Sequence, residues 1–150
     1  MDTNALLLPF RSRFPLIAEI ERLTAPAQIA VSTGVLAELD RLAARRVAFA
    51  VAARAWADRF PTMRTARRGD FGLLELAVRR RASVVTSDRV LRRRLLLAGV
   101  PVLSPRGEGR LVETPPGRTV STEGRPRRAT VKNGPPLAGR SLREDPDAAR

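Results

Sequence analysis

Short apolar runs alternate along this chain with stretches whose apolar residues return at helical spacing, and that alternation most constrains the fold. Ile29-Ala30-Val31-Ser32, Ser83-Val84-Val85-Thr86 and Val100-Pro101-Val102-Leu103 are too short for helices and read as buried strands. Between them Val35, Leu36, Leu39 and Leu42 share one helical face, as do Leu73, Leu74, Leu76 and Ala77, and then Leu91, Leu95 and Leu96. Upstream, Pro9 and Pro15 bracket the start of a helix carrying Leu16, Ile17, Ile20 and Leu23, and an alanine-rich helix over 47–59 holds Phe49 and Trp56 and stops before Pro61. Ser32 or Thr33 suits the cap of a helix beginning near Gly34, another opens near Asp70, and Ser87 or Asp88 starts one that Gly99 terminates. Strands joined by helices of this length imply an α/β fold with a central parallel sheet covered on both faces. In such a sheet the site lies beyond the carboxyl ends of the strands.

The pattern fades near Ser104. Residues 105–150 contain no aromatic residue but seven of the chain's 12 prolines and six of its 10 glycines, with isolated apolar positions. Such a segment cannot offset its ordering entropy and is expected to be largely disordered. The reading is thus one folded domain over 1–113 and a Pro/Gly/Arg-rich disordered tail over 114–150.

Charge and missing residue types narrow the chemistry. Twenty-eight basic residues, all arginine but Lys132, oppose 15 acidic ones for a net charge of +13, which predicts attraction to polyanions such as nucleic acid. Only ten basic and six acidic residues fall in 105–150, so the body carries most of the excess. With no cysteine and no histidine, disulfides, thiolate sites, the usual zinc sites, catalytic triads and histidine bases are excluded. A bound metal should be hard and oxygen-ligated, as Mg2+ or Mn2+ are. No run approaches the roughly 18 apolar residues of a membrane span, and no signal-peptide layout opens the chain; a cytoplasmic location is expected.

Four acids stand where apolar segments meet turns or helices: Asp2, Glu38, Asp70 and Asp88. Gathered at strand ends, such carboxylates can hold one or two divalent cations for phosphate chemistry. Taken singly, Asp70 and Asp88 also suit helix N-caps, Glu38 a solvated helix face with Asp40 beside it, and Asp2 a mobile terminus.

Their order resembles the PIN-domain ribonucleases. Asp2-Thr3-Asn4 is similar to the signature ending that family's first strand, Ser32-Thr33-Gly34-Val35-Leu36-Ala37-Glu38-Leu39 to the segment supplying its glutamate, Gly69-Asp70 with Leu73 and Ala77 to its third acidic position, and Val84-Val85-Thr86-Ser87-Asp88-Arg89 to the strand ending in its fourth acid. The resemblance covers about residues 1–113, and the stretch from Arg92 to Val102 looks closest to archaeal members related to ribosomal RNA processing nucleases and VapC-type toxins. It implies a three-layer sandwich with a central parallel sheet flanked by helices, Mg2+- or Mn2+-dependent cleavage of single-stranded RNA, and frequent homodimers. By position, Asp2, Glu38, Asp70 and Asp88 become catalytic metal-site acids, supported by Thr3, Asn4, Thr86 and Ser87. Phe71 departs from the subgroup, which often has a second aspartate there. The family also has several apolar residues before its Asp-Thr-Asn, forming the central strand, where this chain has only Met1; the first strand reads as truncated, and a short apolar N-terminal extension is expected in the native protein.

Arg79, Arg80, Arg81, Arg89, Arg92, Arg93 and Arg94 flank the Asp88 strand and are expected to contact RNA phosphates, Arg80, Arg81, Arg89, Arg92 and Arg93 foremost. Three readings follow: a metal-dependent endoribonuclease in rRNA processing or as a toxin, a non-catalytic PIN-like RNA-binding module, and a protein-interaction module whose basic surface meets an acidic antitoxin or ribosome-assembly proteins.

Overall fold

The computed structural model describes residues 1–107 and 109–117. Its elements run α1 (Thr3–Ser12), α2 (Leu16–Thr24), β1 (Val31–Ser32), α3 (Thr33–Ala44), α4 (Ala50–Ala57), β2 (Thr62–Met63), α5 (Gly69–Arg80), β3 (Val84–Val85), α6 (Arg89–Leu97), β4 (Val102–Arg106) and β5 (Arg110–Thr114). The chain is α/β; the three strands read from apolar runs are present in shortened or shifted form, whereas the truncated first strand is not assigned as a strand.

The single central parallel sheet expected from the sequence is divided. β1 pairs in parallel with β2, Val31 opposite Thr62, while β3 pairs in parallel with β4, Val84 opposite Val102, and β5 closes that second sheet antiparallel. Met1 and Asp2 lie between the two sheets. The Met1 ammonium donates to Ala30 O at 3.1 Å, and the Asp2 N–H donates to Val85 O at 3.1 Å. Burial pushes that ammonium's pKa down, against the pull of the Asp2 charge. Beside this bridge runs a largely apolar cavity of about 250 Å³, lined by Met1, Ile29, Val31, Leu76, Val84 and Val85 among others.

The second sheet is covered on both faces because its pleat alternates. Val85 and Leu103 point into a core built on Leu6, Leu7, Leu16, Leu39 and Leu111, whereas Val84 and Val102 point into a second cluster with Leu73, Leu91, Leu95 and Leu96. Phe10, Trp56 and Phe60 pack edge to face at the first core's margin, with centroids 5.9 and 5.1 Å apart.

Three elements differ from the sequence reading. Thr3–Ser12 is a helix despite Pro9 inside it; the proline lacks the N–H that would bond one turn back, yet Ala5, Leu6 and Leu7 are buried and hold the segment helical. The expected helix over 47–59 is confined to Ala50–Ala57, because Phe49 just ahead of it adopts the left-handed conformation at φ 66°. Pro105–Thr114, expected to be irregular, instead completes β4 and forms β5, with Gly107 and Gly109 at φ 56° and 77° turning the hairpin. Thr114, placed at the start of the tail, thus ends a strand. Beyond residue 117 the tail expectation lies outside the described residues.

A buried carboxylate anchors this hairpin. Glu19 Oε2 accepts the Leu111 N–H at 2.8 Å and Arg22 Nη2 at 2.7 Å, and the same guanidinium nitrogen donates to Leu111 O at 2.9 Å. The Arg22 bond, then the Leu111 N–H, hold the Glu19 carboxyl at about 2, below its ordinary 4.5. A depressed folded pKa contributes stability above the unfolded value that is lost as pH falls from 4.5 toward 2. Melting followed by circular dichroism should therefore show a wild-type melting temperature falling across that window, and Glu19→Gln should be less stable at pH 7 with a shallower acid slope.

Candidate active site

A polar pocket of about 240 Å³ opens where α1, α5 and α6 begin and the early part of α3 passes; Asp2, Thr3, Asn4, Gly34, Glu38, Gly69, Asp70 and Asp88 all line it. The strands put it there. β1 passes into α3 through Ser32, whose Oγ accepts the Val35 N–H at 3.3 Å, and β3 passes into α6 through Thr86, Ser87 and Asp88.

Capping and site formation are not rivals for Asp2 and Asp88. Asp2 Oδ1 accepts the Ala5 N–H at 2.6 Å and so caps α1, while Asp88 Oδ1 accepts the Val90 and Leu91 N–H groups at 2.7 and 3.0 Å and caps α6. Each cap engages one carboxylate oxygen, and both residues line the pocket. Fully buried Thr86 couples the two: its hydroxyl donates to Asp2 Oδ2 and accepts the Asp88 N–H at 3.0 Å. Thr3 holds the next acid by donating to Glu38 Oε2 at 2.7 Å. Asp70 does not cap its helix; Arg68 occupies that position without a side-chain bond, and Asp70 sits in the first turn of α5.

The acids feel one another. Burial pushes the Asp70 carboxyl up, the Asp88 and Glu38 charges add to the rise, and Arg94, with Nη1 at 3.8 Å from Asp70 Oδ2, pulls it back. Burial also raises Asp2, from 3.8 to about 6, against the bonds from Thr86 and Ala5 and the N-terminal charge and with help from Asp88. A raised folded pKa means the fold holds this proton longer than the unfolded chain does, so the contribution of Asp2 to stability is full below 3.8 and is lost as pH rises through 6. The shift of about two units corresponds to on the order of 3 kcal/mol. In chelator at pH 8, Asp2→Asn should therefore melt above wild type, an excess that shrinks toward pH 4; a lower melt at pH 8 would contradict the assignment.

Other expected site residues are distributed differently. Asn4 is exposed at the pocket lining, and Ser87 is exposed outside it. Arg80 and Arg81 end α5, about 15 Å along the helix from Asp70 at 1.5 Å per residue, and Arg80 borders the apolar cavity instead. Arg89 and Arg93 are exposed on α6, and Arg92 Nη1 reaches Ser104 Oγ at 3.4 Å. Arg94, one of the flanking arginines, is the one that touches a pocket acid. Its place beside Asp70 depends on α5 and α6 packing together, which spacing along either helix does not reveal.

The donor set is all oxygen, which fits a hard divalent cation. Among the described residues no three carboxylates are gathered closely enough to cage one ion. Mg2+ does not require that, since it keeps several waters and binds through one or two carboxylates together with substrate phosphate.

Four carboxylates thus line one pocket beyond the strand ends of an α/β domain. The chain matches the PIN-like domain family over residues 1–108, and it belongs to that family, whose members are generally nucleases that use divalent metals. No protein of curated function matches it.

Proposed function

We propose that this protein is a divalent-metal-dependent endoribonuclease that cleaves single-stranded RNA at the pocket of Asp2, Glu38, Asp70 and Asp88. The observation that carries the reading is that acids 86 residues apart in sequence, Asp2 and Asp88, line one pocket and share one buried threonine. Mg2+ or Mn2+, held by these carboxylates, would supply charge neutralisation at the scissile phosphate and acidity to the attacking water. Thr86 and Thr3 fix the orientation of Asp2 and Glu38, as carboxylates of a metal site need. Exposed Arg89 and Arg93 on α6 attract the phosphate backbone, a contribution that weakens steeply with salt. The arginine surface suits RNA, and in a toxin the same surface would receive an acidic antitoxin.

The test is incubation of labelled single-stranded RNA with Mg2+, Mn2+ or chelator. Cleavage with metal and none with chelator supports the reading, and no cleavage with either ion refutes it. Precursor rRNA cut at defined positions would indicate processing, whereas co-purification of a small acidic protein that blocks cleavage would indicate a toxin. A cytoplasmic location is part of this proposal. Among the described residues no helix is long and apolar enough to cross a membrane.

A second reading has one observation in its favour. Arg94 beside Asp70 already offsets part of the pocket's charge, as a non-catalytic RNA-binding or protein-interaction module would allow. That module binds RNA equally well with Asp88 changed to asparagine and does not cut it, whichever metal is added.

A further inference from the structure

Phe71 is the most exposed of the chain's six aromatic residues, at 62%, and it directly follows Asp70 on the first turn of α5. Phe10, Trp56 and Phe60 are used in one packed cluster and Phe14 in the core. Phe49, 48% exposed, lies at the start of α4; neither it nor Phe71 lines the pocket, but Phe71 directly follows Asp70, which does. The Arg94 guanidinium lies over the Phe71 ring, 5.6 Å from its centroid. The same guanidinium reaches Asp70 at 3.8 Å. Arg94 thus links a largely exposed ring to Asp70, an acid of the pocket.

We infer that Phe71, positioned by Arg94, is a stacking platform for one nucleobase of a single-stranded RNA whose adjacent phosphate lies at the acidic pocket. A lone exposed phenylalanine on a helix is often incidental. Three facts together separate this one: it abuts an acid of the pocket, it carries a cation against its ring, and that cation also contacts the acid. Base–aromatic stacking tolerates any sequence, because every base has a π face, and it is salt-insensitive compared with phosphate contacts. The inference rests on the proposed nuclease site for its location, though stacking itself does not require cleavage. A single platform suits a chain with only 4% aromatic residues.

The experiment compares wild type, Phe71→Ala, Phe71→Leu and Phe71→Trp on two short single-stranded RNAs. The first is intact; the second is abasic at the nucleotide next to the cleaved bond, or, in the absence of cleavage, at each position in turn. Both kcat/KM with Mn2+ and binding in chelator, by fluorescence anisotropy, are measured. Expected is an approximately 10- to 100-fold weakening for Phe71→Ala on intact RNA. It should fall mainly on KM, be shared by Phe71→Leu, be restored by Phe71→Trp and vanish on the abasic RNA. Equal behaviour of Phe71→Ala and wild type on intact RNA, or an equal loss on both RNAs, overturns the inference. So does a loss that Phe71→Leu restores, which would mean that apolar bulk rather than a π face matters. If wild type binds but does not cut and the base-dependent loss persists, the nuclease reading falls and the platform stands. If wild type neither binds nor cuts, both fall.

Discussion

Asp88→Asn is expected to reduce metal-dependent RNA cleavage by about 100-fold or more, the scale of losing a charge aimed at a developing transition state, while leaving the fold intact. Asparagine caps a helix about as well as aspartate. The bonds from Val90 and Leu91 to Oδ1 can therefore persist, and α6 keeps its start. Removing the charge also relieves Asp2 and Asp70, both of which the Asp88 carboxylate pushes up. The melting temperature in chelator should match or slightly exceed wild type. Asp88→Ala separates the two roles: it should lose activity to the same degree and in addition about 1 kcal/mol of stability with the cap. Cleavage rates and thermal melts of the two variants check this; an asparagine variant that still cuts at the wild-type rate would remove Asp88 from the site.

Gly72→Ala should be among the most damaging substitutions outside the acids. A Cβ at Gly72 would meet the Arg67 carbonyl, its carbon at 2.8 Å, and Thr65 Cβ at 3.2 Å. The loop it meets cannot easily retreat, because the Thr65 N–H donates to Thr33 Oγ1 at 3.1 Å and the two threonine hydroxyls lie 3.2 Å apart. Relief must come from a shift of α5, which carries Asp70 two residues earlier. Overpacking of this kind costs about 1–3 kcal/mol or more, and here it should reduce cleavage as well as stability. Urea unfolding and cleavage rates measure the two effects; a Gly72→Ala protein as stable and active as wild type would mean that the loop does not rest on α5.

How much of this was legible in the sequence depends on how local the cause is. The helices α2, α3 and α6 show in their apolar spacing, and the caps at Ser32 and Asp88 in single residues, because both are decided within a few positions. The four acids could be singled out as candidates because each follows a strand or opens or enters a helix. Their convergence in one pocket was implied by resemblance and is now geometric. β5 was not legible, since its one buried apolar residue, Leu111, is held by Glu19 and Arg22 from 92 and 89 residues away. α1 was hidden by Pro9, where burial of the preceding residues outweighs a missing hydrogen bond. The arginines divided for a similar reason: Arg79 to Arg81 and Arg94 look alike in sequence, but the former lie at the far end of α5 from Asp70, whereas Arg94 reaches Asp70 from the neighbouring α6.

Whether these four carboxylates form a working metal site is decided by calorimetric titration of Mn2+ into chelator-free wild-type and Asp88→Asn protein. Saturable uptake by wild type that weakens about 10-fold or more in the variant is expected. No saturable uptake by wild type, or identical uptake by both proteins, would contradict such a site.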